Sequence, residues 1–304
     1  MTAPKNLTDS AAINYAMSME FAARFNQDTN QLMQVLGIVS PEVVPAGYKL
    51  EQLKVTGAPD ETSTAGADGT SGSGYIEGDL VKLSKYTVAP ADLDLKVKLR
   101  PYRKVTSAQA ITEKGQVNAI VRTDNKLLSD VRSEMVTSFF GFLANGTGTA
   151  TGKTMQAALI NTEAKLLDTI ETNKDDGMSL NVIHMVNRTD VADYLGTANI
   201  TMQTSFGLTY LESFLGISNV LITNKVPKGT IYATPTENLH MYAVNFAELA
   251  SAGLPYVISD NGLIGIQHAP VYDHVSVETD VLTGATLFAE ITDYIVKGTI
   301  APGA

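Results

Sequence analysis

Apolar and polar positions follow two periods along this 304-residue chain, and the clearest stretch runs from Asp124 to Asn145. There Leu128, Val131, Met135, Phe139 and Phe142 recur at steps of three and four, which sets them on one face of a helix. Leu127, Val136, Phe140 and Leu143 widen that face, and Asp130, Arg132, Ser133, Glu134 and Thr137 form a polar back. Thr123 or Asp124 is placed to cap the start, and Asn145-Gly146 to stop the end. About 22 residues at ~1.5 Å rise give a rod of ~33 Å, so the apolar face needs a sheet or another helix laid along it.

Upstream, Ala11 to Leu36 is helical in character, but Ile13, Ala16, Met17, Met19 and Phe21 are scattered rather than set in one stripe. Asn26-Gln27-Asp28 interrupts this arm, and Ser40-Pro41 with Pro45-Ala46-Gly47 ends it. A weakly amphipathic helix there needs a partner surface, another subunit being one choice. From 48 to 90, YKLEQLKVTG and GYIEGDLVKLSKYTV read as strands around the tip GAPDETSTAGADGTSGSG. That tip has too few apolar side chains to order itself, and the hairpin needs a surface to lie on. Asp92 to Lys104 then alternates as one strand, with Leu93, Leu95, Val97 and Leu99 opposite Asp94, Lys96, Lys98 and Arg100.

A shorter helix from about Ser107 to Arg122 precedes the long one. A further amphipathic helix, Thr154 to Glu171, is built on Met155, Leu159, Leu166 and Ile170 and stops at Asp175-Asp176-Gly177. An α/β region follows, with strands at 181–187, 219–224, 230–235 and 239–244. It also has a short helix after Thr189 and a helix from Leu208 to Leu215. The chain then returns to β structure through Gly265–His268, VYDHVSVETD and TLFAEITDYIVKGTI.

Charge changes this picture in one respect. The net charge is −10, and residues 1–153 carry 16 basic and 16 acidic groups against 6 and 16 in the remainder. Such a chain does not gain affinity by neutralising phosphates. Zero cysteines exclude disulfides, thiol catalysis and cysteine-held metal. No apolar run approaches the ~18 residues of a membrane span, and the N-terminus has no apolar signal core.

Candidate chemistry is sparse. GTGTATGKT (146–154) suggests a phosphate loop, but the required first glycine falls at Thr147, and the segment follows a helix rather than a strand. The four histidines offer one local pair, His268 and His274 with Asp273, too far apart on an extended chain for one metal. There is no Gly-x-Ser-x-Gly elbow and no paired-carboxylate motif beside a histidine. Two opposed charge strips remain: basic Lys96, Lys98, Arg100, Arg103 and Lys104, and acidic Asp60, Glu61, Asp68, Glu77 and Asp79. A nucleic-acid footprint is one reading of the basic strip; the alternation makes it a solvated strand face, and a partner-facing strip is the better reading.

In order, the arm, long hairpin, strand, long helix, α/β region and return to β resemble the major capsid proteins of tailed bacteriophages, the Hong Kong 97 fold. YIEGDLVKLSKY resembles the second strand of that family's E-loop, and RPYRKVTSAQAI the entry to its peripheral domain. VRTDNKLLSDVRSEMVTSFFGFLANGT resembles its spine helix. HMVNRTDVADYLG, SFGLTYLESFLGISNVLITNKVPKGTIYATPTENLHMY and SVETDVLTGATLFAEITDYIVKGTI resemble its axial domain and final strands. The similarity is strongest to siphophages of Gram-positive bacteria.

The resemblance implies an α+β chain divided into an N-terminal arm (1–46), an E-loop hairpin (47–90) and a peripheral domain (91–153) with spine helix 124–145. A mainly axial domain (154–266) and return strands to the peripheral domain (267–304) complete it. It implies a non-enzymatic shell subunit, without cofactor or metal, that forms hexamers and pentamers of an icosahedral head around DNA. Its implied partners are itself, a portal, a decoration protein and a separate scaffolding protein, since the arm begins almost at Met1. It implies residence in the virion after assembly in the bacterial cytoplasm. No motif carries over the lysine–asparagine cross-link of some members. An encapsulin-type compartment shell is the rival reading within the fold, and a nucleotide-binding protein using 146–154 the rival outside it.

Overall fold

The computed structural model describes residues 10–38, 40–58, 85–173, 181–195, 203–205, 208–211, 220–246, 253–254 and 256–301. Its first part runs α1 (Ser10–Leu36), β1 (Glu42–Val44), β2 (Lys49–Ala58), β3 (Lys85–Lys96), β4 (Arg100–Ser107), α2 (Ala108–Lys114) and α3 (Arg122–Leu143). The second runs β5 (Gly148–Gly152), α4 (Met155–Asn173), β6 (Val182–Asn187), α5 (Arg188–Leu195), β7 (Gln203–Ser205), β8 (Leu208–Leu211), β9 (Val220–Thr223) and β10 (Thr230–Pro235). The last runs β11 (Leu239–Val244), β12 (Val257–Ile258), β13 (Ile264–Val271), β14 (Ser276–Thr283), β15 (Thr286–Ala289) and β16 (Val296–Ile300).

Two units separate. Residues 49–96 form one, an antiparallel hairpin of β2 and β3 whose register shifts between Leu50 and Glu51. The rest of the chain forms the other. The expected single strand from Asp92 to Lys104 is therefore two strands, interrupted at Val97–Leu99. The inward phase changes across the break: Val97 is buried between exposed Lys96 and Lys98, whereas in β4 the even positions Arg100, Tyr102, Lys104 and Thr106 turn inward, and the sequence alternation runs through without marking it.

Within the larger unit, a seven-stranded sheet runs β5-β16-β10-β6-β9-β8-β7. β6, β9 and β10 are buried at every position, which is why their sequences are mainly apolar and do not alternate. Helix α4 covers this sheet with Met155, Ala158, Leu159, Leu166 and Ile170, packed on Val182, Val186, Val220 and Ile231. The Gly-rich segment 148–152 is the edge strand β5, parallel to β16. A Cβ at Gly152 would collide with the backbone of Ala158 at the start of α4, so this glycine serves close packing rather than a phosphate cradle.

A four-stranded antiparallel sheet runs β12-β13-β14-β4, and a three-stranded sheet runs β1-β11-β15. Helix α3 lies on β15, where Phe142 meets Phe288 edge-on at 6.3 Å. Leu128, Val131, Met135, Phe139 and Phe142 are all buried, as the heptad-like spacing requires. Asp124 does not cap α3, which begins at Arg122 as the continuation of a π-helical turn at Val117–Val121. The expected helix over 107–122 is this turn plus the short α2, capped by Ser107 and ended by Gly115 at φ 77.

Helix α1 is continuous through Asn26-Gln27-Asp28 and packs on β13 and β12, so its partner surface is the chain's own. Its inward positions do form one stripe: Asn14, Ser18, Phe21, Phe25, Thr29, Leu32 and Leu36 are buried. The sequence concealed it because polar side chains occupy three of those places. Three further expectations change. Leu208–Leu211 is a strand paired to β9, since Thr209 and Tyr210 face Ile222 and Leu221 across a ladder. Residues 272–275 form the turn of the β13–β14 hairpin, not strand, with Val275 at φ 47. Asn187, not Thr189, caps α5 by accepting the Thr189 N–H at 2.8 Å. The Asp175-Asp176-Gly177 turn lies outside the described residues.

The closing segment does not return in one piece. β13 and β14 extend to β4, β15 joins β11, and β16 crosses into the seven-stranded sheet between β5 and β10.

Candidate functional site

The basic strip is not one solvated face. Even-numbered positions of β4 turn towards α3: Arg100 reaches Glu134 at 3.3 Å and Ser138 at 3.2 Å. Tyr102 donates to the Glu134 carboxylate at 2.6 Å. Burial, reinforced by that carboxylate, pushes the Tyr102 phenol up to about 12. On the opposite face Arg103 pairs with Glu278 and Asp280 of β14, and this hydrogen bond to Glu278 raises the guanidinium further. Lys96 and Lys98 are exposed and make no ion pair with any described residue. Asp60, Glu61, Asp68, Glu77 and Asp79 lie outside the described residues.

Lys104 leads to the most organised polar cluster among the described residues. Its ammonium lies 2.5 Å from Asp124 Oδ1, 2.6 Å from Thr123 Oγ1 and 3.3 Å from the Ile120 carbonyl. His268 Nε2 stands 3.0 Å from Asp124 Oδ2, and Thr279 donates to Oδ1 at 3.3 Å. Ser18 Oγ lies 2.7 Å from His268 Nδ1, donates to the Asn14 carbonyl at 2.9 Å and accepts the His268 backbone N–H at 3.2 Å. Burial works to raise the Asp124 carboxyl, but hydrogen bonds from His268 and Lys104 outweigh it and hold it below the usual range. An ionised carboxylate only accepts, so His268 Nε2 carries the proton in this pair.

Ser18, His268 and Asp124 stand in the order of a nucleophile, base and orienting acid, yet the arrangement offers no substrate access. Ser18 is 1% exposed, and the adjoining cavity of about 10 Å³ between Met17, Phe21, Arg24 and Asn125 has room for about one water. What the cluster does is join five elements: α1, α3, β13, β14 and β4. The sequence held no local signal for it, because His268 lies 250 residues from Ser18 and 144 from Asp124. His274, the expected neighbour of His268, is exposed in the hairpin turn.

The other two histidines are separate. His184 is fully buried in β6 beneath α4 with neither ring nitrogen hydrogen-bonded, and burial pushes it down to about 4. His240 Nε2 lies 3.2 Å from Glu290 and its Nδ1 4.0 Å from Glu42; the Glu290 hydrogen bond raises His240, and His240 lowers Glu290. Among the described residues no group of three or more His, Asp or Glu side chains is placed to hold a metal, and no helix is long and apolar enough to cross a membrane. A groove of about 310 Å³ lined by Val43, Pro45, Leu99, Val244 and Phe246 carries no ionisable side chain. Nothing in these features assembles an acid, base and nucleophile around an open space.

Comparison with known proteins bears on the architecture. No model of a protein family and no curated protein matches the sequence. Among solved structures, the capsid asymmetric unit of cyanophage A-1(L) aligns over 89% of this chain and 93% of that one, at 14% identity and a TM-score of 0.50. A chain of Mycobacterium phage Patience aligns over 100% and 91%, at 13% identity and a TM-score of 0.50. The capsid of the empty GTA particle aligns over 90% of each chain, at 11% identity and a TM-score of 0.51. The likeness is one of fold, and the class it defines is the Hong Kong 97 capsid fold, as the order of sequence elements implied.

Proposed function

We propose that this chain is the major capsid protein of a tailed bacteriophage, a shell subunit that assembles into hexamers and pentamers around a DNA genome. The observation that carries the reading is the extent of the fold match: about nine-tenths or more of both chains align with the three capsid or phage structures. The resemblance of the local segments to siphophages of Gram-positive bacteria supports such a source.

On this reading the β2–β3 hairpin is the E-loop. The sheets around α3 form the peripheral domain, and α4 with the seven-stranded sheet the axial domain. The protein acts without catalysis, assembles in the host cytoplasm and ends in the virion. A scaffolding protein, a portal and a decoration protein are its further partners. The acidic negative excess of residues 154–304 suits a surface that encloses DNA without adhering to it.

Electron microscopy of the chain expressed with its neighbouring genes tests the reading. Closed icosahedral particles support it. A protein that remains monomeric under all such conditions overturns it, and particles that enclose an enzyme cargo instead of DNA favour the encapsulin reading. Charge supplies a finer test. Since Arg100, Arg103 and Lys104 are engaged within the chain, the contact to the acidic 60–79 segment of a neighbour falls to Lys96 and Lys98. Each exposed pair contributes only ~0.2–1 kcal/mol, but a shell repeats it at every subunit. Lys96→Glu with Lys98→Glu is expected to lower particle yield at low salt while the free subunit keeps its melting temperature. An unchanged yield removes this pairing.

A further inference from the structure

Helix α1 is held by two different kinds of contact along its length. From Phe21 onwards its inward positions are apolar in the main: Phe21, Phe25, Leu32, Met33 and Leu36 are buried. From Ile13 to Glu20 the sense is inverted. The buried residues there are Asn14 and Ser18, while Ile13, Tyr15 and Met19 are 37%, 58% and 50% exposed. An amphipathic helix ordinarily turns those types the other way. What fixes this first half is the chain of contacts from Ser18 through His268 to Asp124, itself held by Lys104 and Thr279.

The two halves respond differently to opening. Water replaces the hydrogen bonds of Ser18 once the segment lifts, and it solvates the exposed faces of His268 and Asp124 at the same time. Water gives no such compensation for Phe25 or Leu32. The first half therefore opens at lower cost than the second, although both belong to one continuous helix.

We propose that residues 13–20 of α1 are a releasable strap, fastened by Ser18 onto the Asp124–His268–Lys104 cluster and hinged on the apolar anchor of residues 21–36. Ser18 is the catch. Asp124 is a positioning residue, since it holds the His268 ring that Ser18 meets. When the strap lifts, the cluster opens to solvent while the body of the fold stays intact.

Native-state hydrogen exchange on the full chain, read on peptides over 13–20 and 25–36, tests this. In the unaltered protein the first peptide is expected to exchange on the order of ten times faster than the second. Ser18→Ala should speed the first by about tenfold again and leave the second within about twofold, and Ser18→Thr, which keeps the hydroxyl, should restore much of the protection. Asp124→Asn should give the same pattern; if that variant does not fold, the two Ser18 variants decide alone. Equal acceleration of both peptides in Ser18→Ala would mean the helix opens as one unit and would overturn the proposal. So would uniform exchange along the unaltered helix, or no acceleration at all.

Discussion

Two helix-on-sheet layers of this chain are built by opposite means. Helix α4 covers the seven-stranded sheet with side chains that are apolar almost throughout, and one histidine beneath it has no hydrogen-bond partner. Helices α1 and α3 instead meet the four-stranded sheet through a buried ion pair, a histidine and two hydroxyls, all of them partnered. Apolar burial is non-directional, so the first layer tolerates an orphan at a cost and needs no exact geometry. A buried charge is directional, so deleting one partner of the second layer while the other stays buried is strongly destabilising, although water can replace the partners where the cluster opens. The first layer supplies cohesion, and the second fixes where two long helices sit.

The largest effect should come from breaking the second layer one partner at a time. Asp124→Leu leaves the half-buried Lys104 ammonium without its carboxylate, with only Thr123 Oγ1 and the Ile120 carbonyl to face, and is expected to cost about 3 kcal/mol, whereas Lys104→Met added in the same chain should recover most of that. Urea unfolding of the two single variants and the double variant gives the coupling. Additive losses would show that Lys104 and Asp124 do not act as a pair.

The orphan of the first layer gives the next effect, and it depends on pH. His184 has a folded pKa of about 4 against an ordinary 6.5, so the unfolded chain takes up its proton first. Stability is therefore retained above pH 6.5 and lost as pH falls from there to about 4, by about 3 kcal/mol for this group. His184→Leu should flatten that part of the acid limb and also raise stability near pH 7 by removing the unpaired nitrogens. An unchanged slope of denaturation midpoint between pH 4 and 7 would place the acid sensitivity elsewhere.

The smallest effect lies at the three-stranded sheet, where His240 faces Glu290 and Glu42 near the surface. His240 is raised in the fold, so its contribution is present below pH 6.5 and fades as pH climbs through the raised value. Glu290 is lowered, so its contribution is present above its ordinary 4.5 and fades as pH falls through the lowered value. The pair should thus stabilise most between those limits, by only ~0.2–1 kcal/mol given its exposure. His240→Gln is expected to remove this small maximum, with the largest loss between pH 4.5 and 6.5. Thermal melts across pH 4 to 8 would detect it.

The same contrast governs how much could be read in advance. The spacing of Leu128, Val131, Met135, Phe139 and Phe142 is local, and those residues are buried as the spacing demands. The strands at 182–187, 220–223, 230–235 and 239–244 also announced themselves as apolar runs. The buried stripe of α1 did not, because Asn14, Ser18 and Thr29 look like surface residues until their partners are known. The basic strip misled for the same reason. Arg100 and Lys104 look solvated on a strand, but the face they share turns towards Glu134 and Asp124 of α3.

By itself, then, the sequence determined the long helix, the buried strands and the order of the main elements, and through that order the class of fold. These rest on short-range apolar patterning, which acts through the chain's own geometry at separations of a few residues. Only the tertiary structure decided that the Asp124 side chain, in the first turn of α3, meets Lys104, His268 and Thr279 rather than capping the helix. It also decided that α1 docks through Ser18 and that β16 crosses into the sheet beside β5. Those outcomes depend on polar groups from distant parts of the chain satisfying one another away from water. Which distant groups meet is set by the packing of whole elements, and no window of sequence contains it.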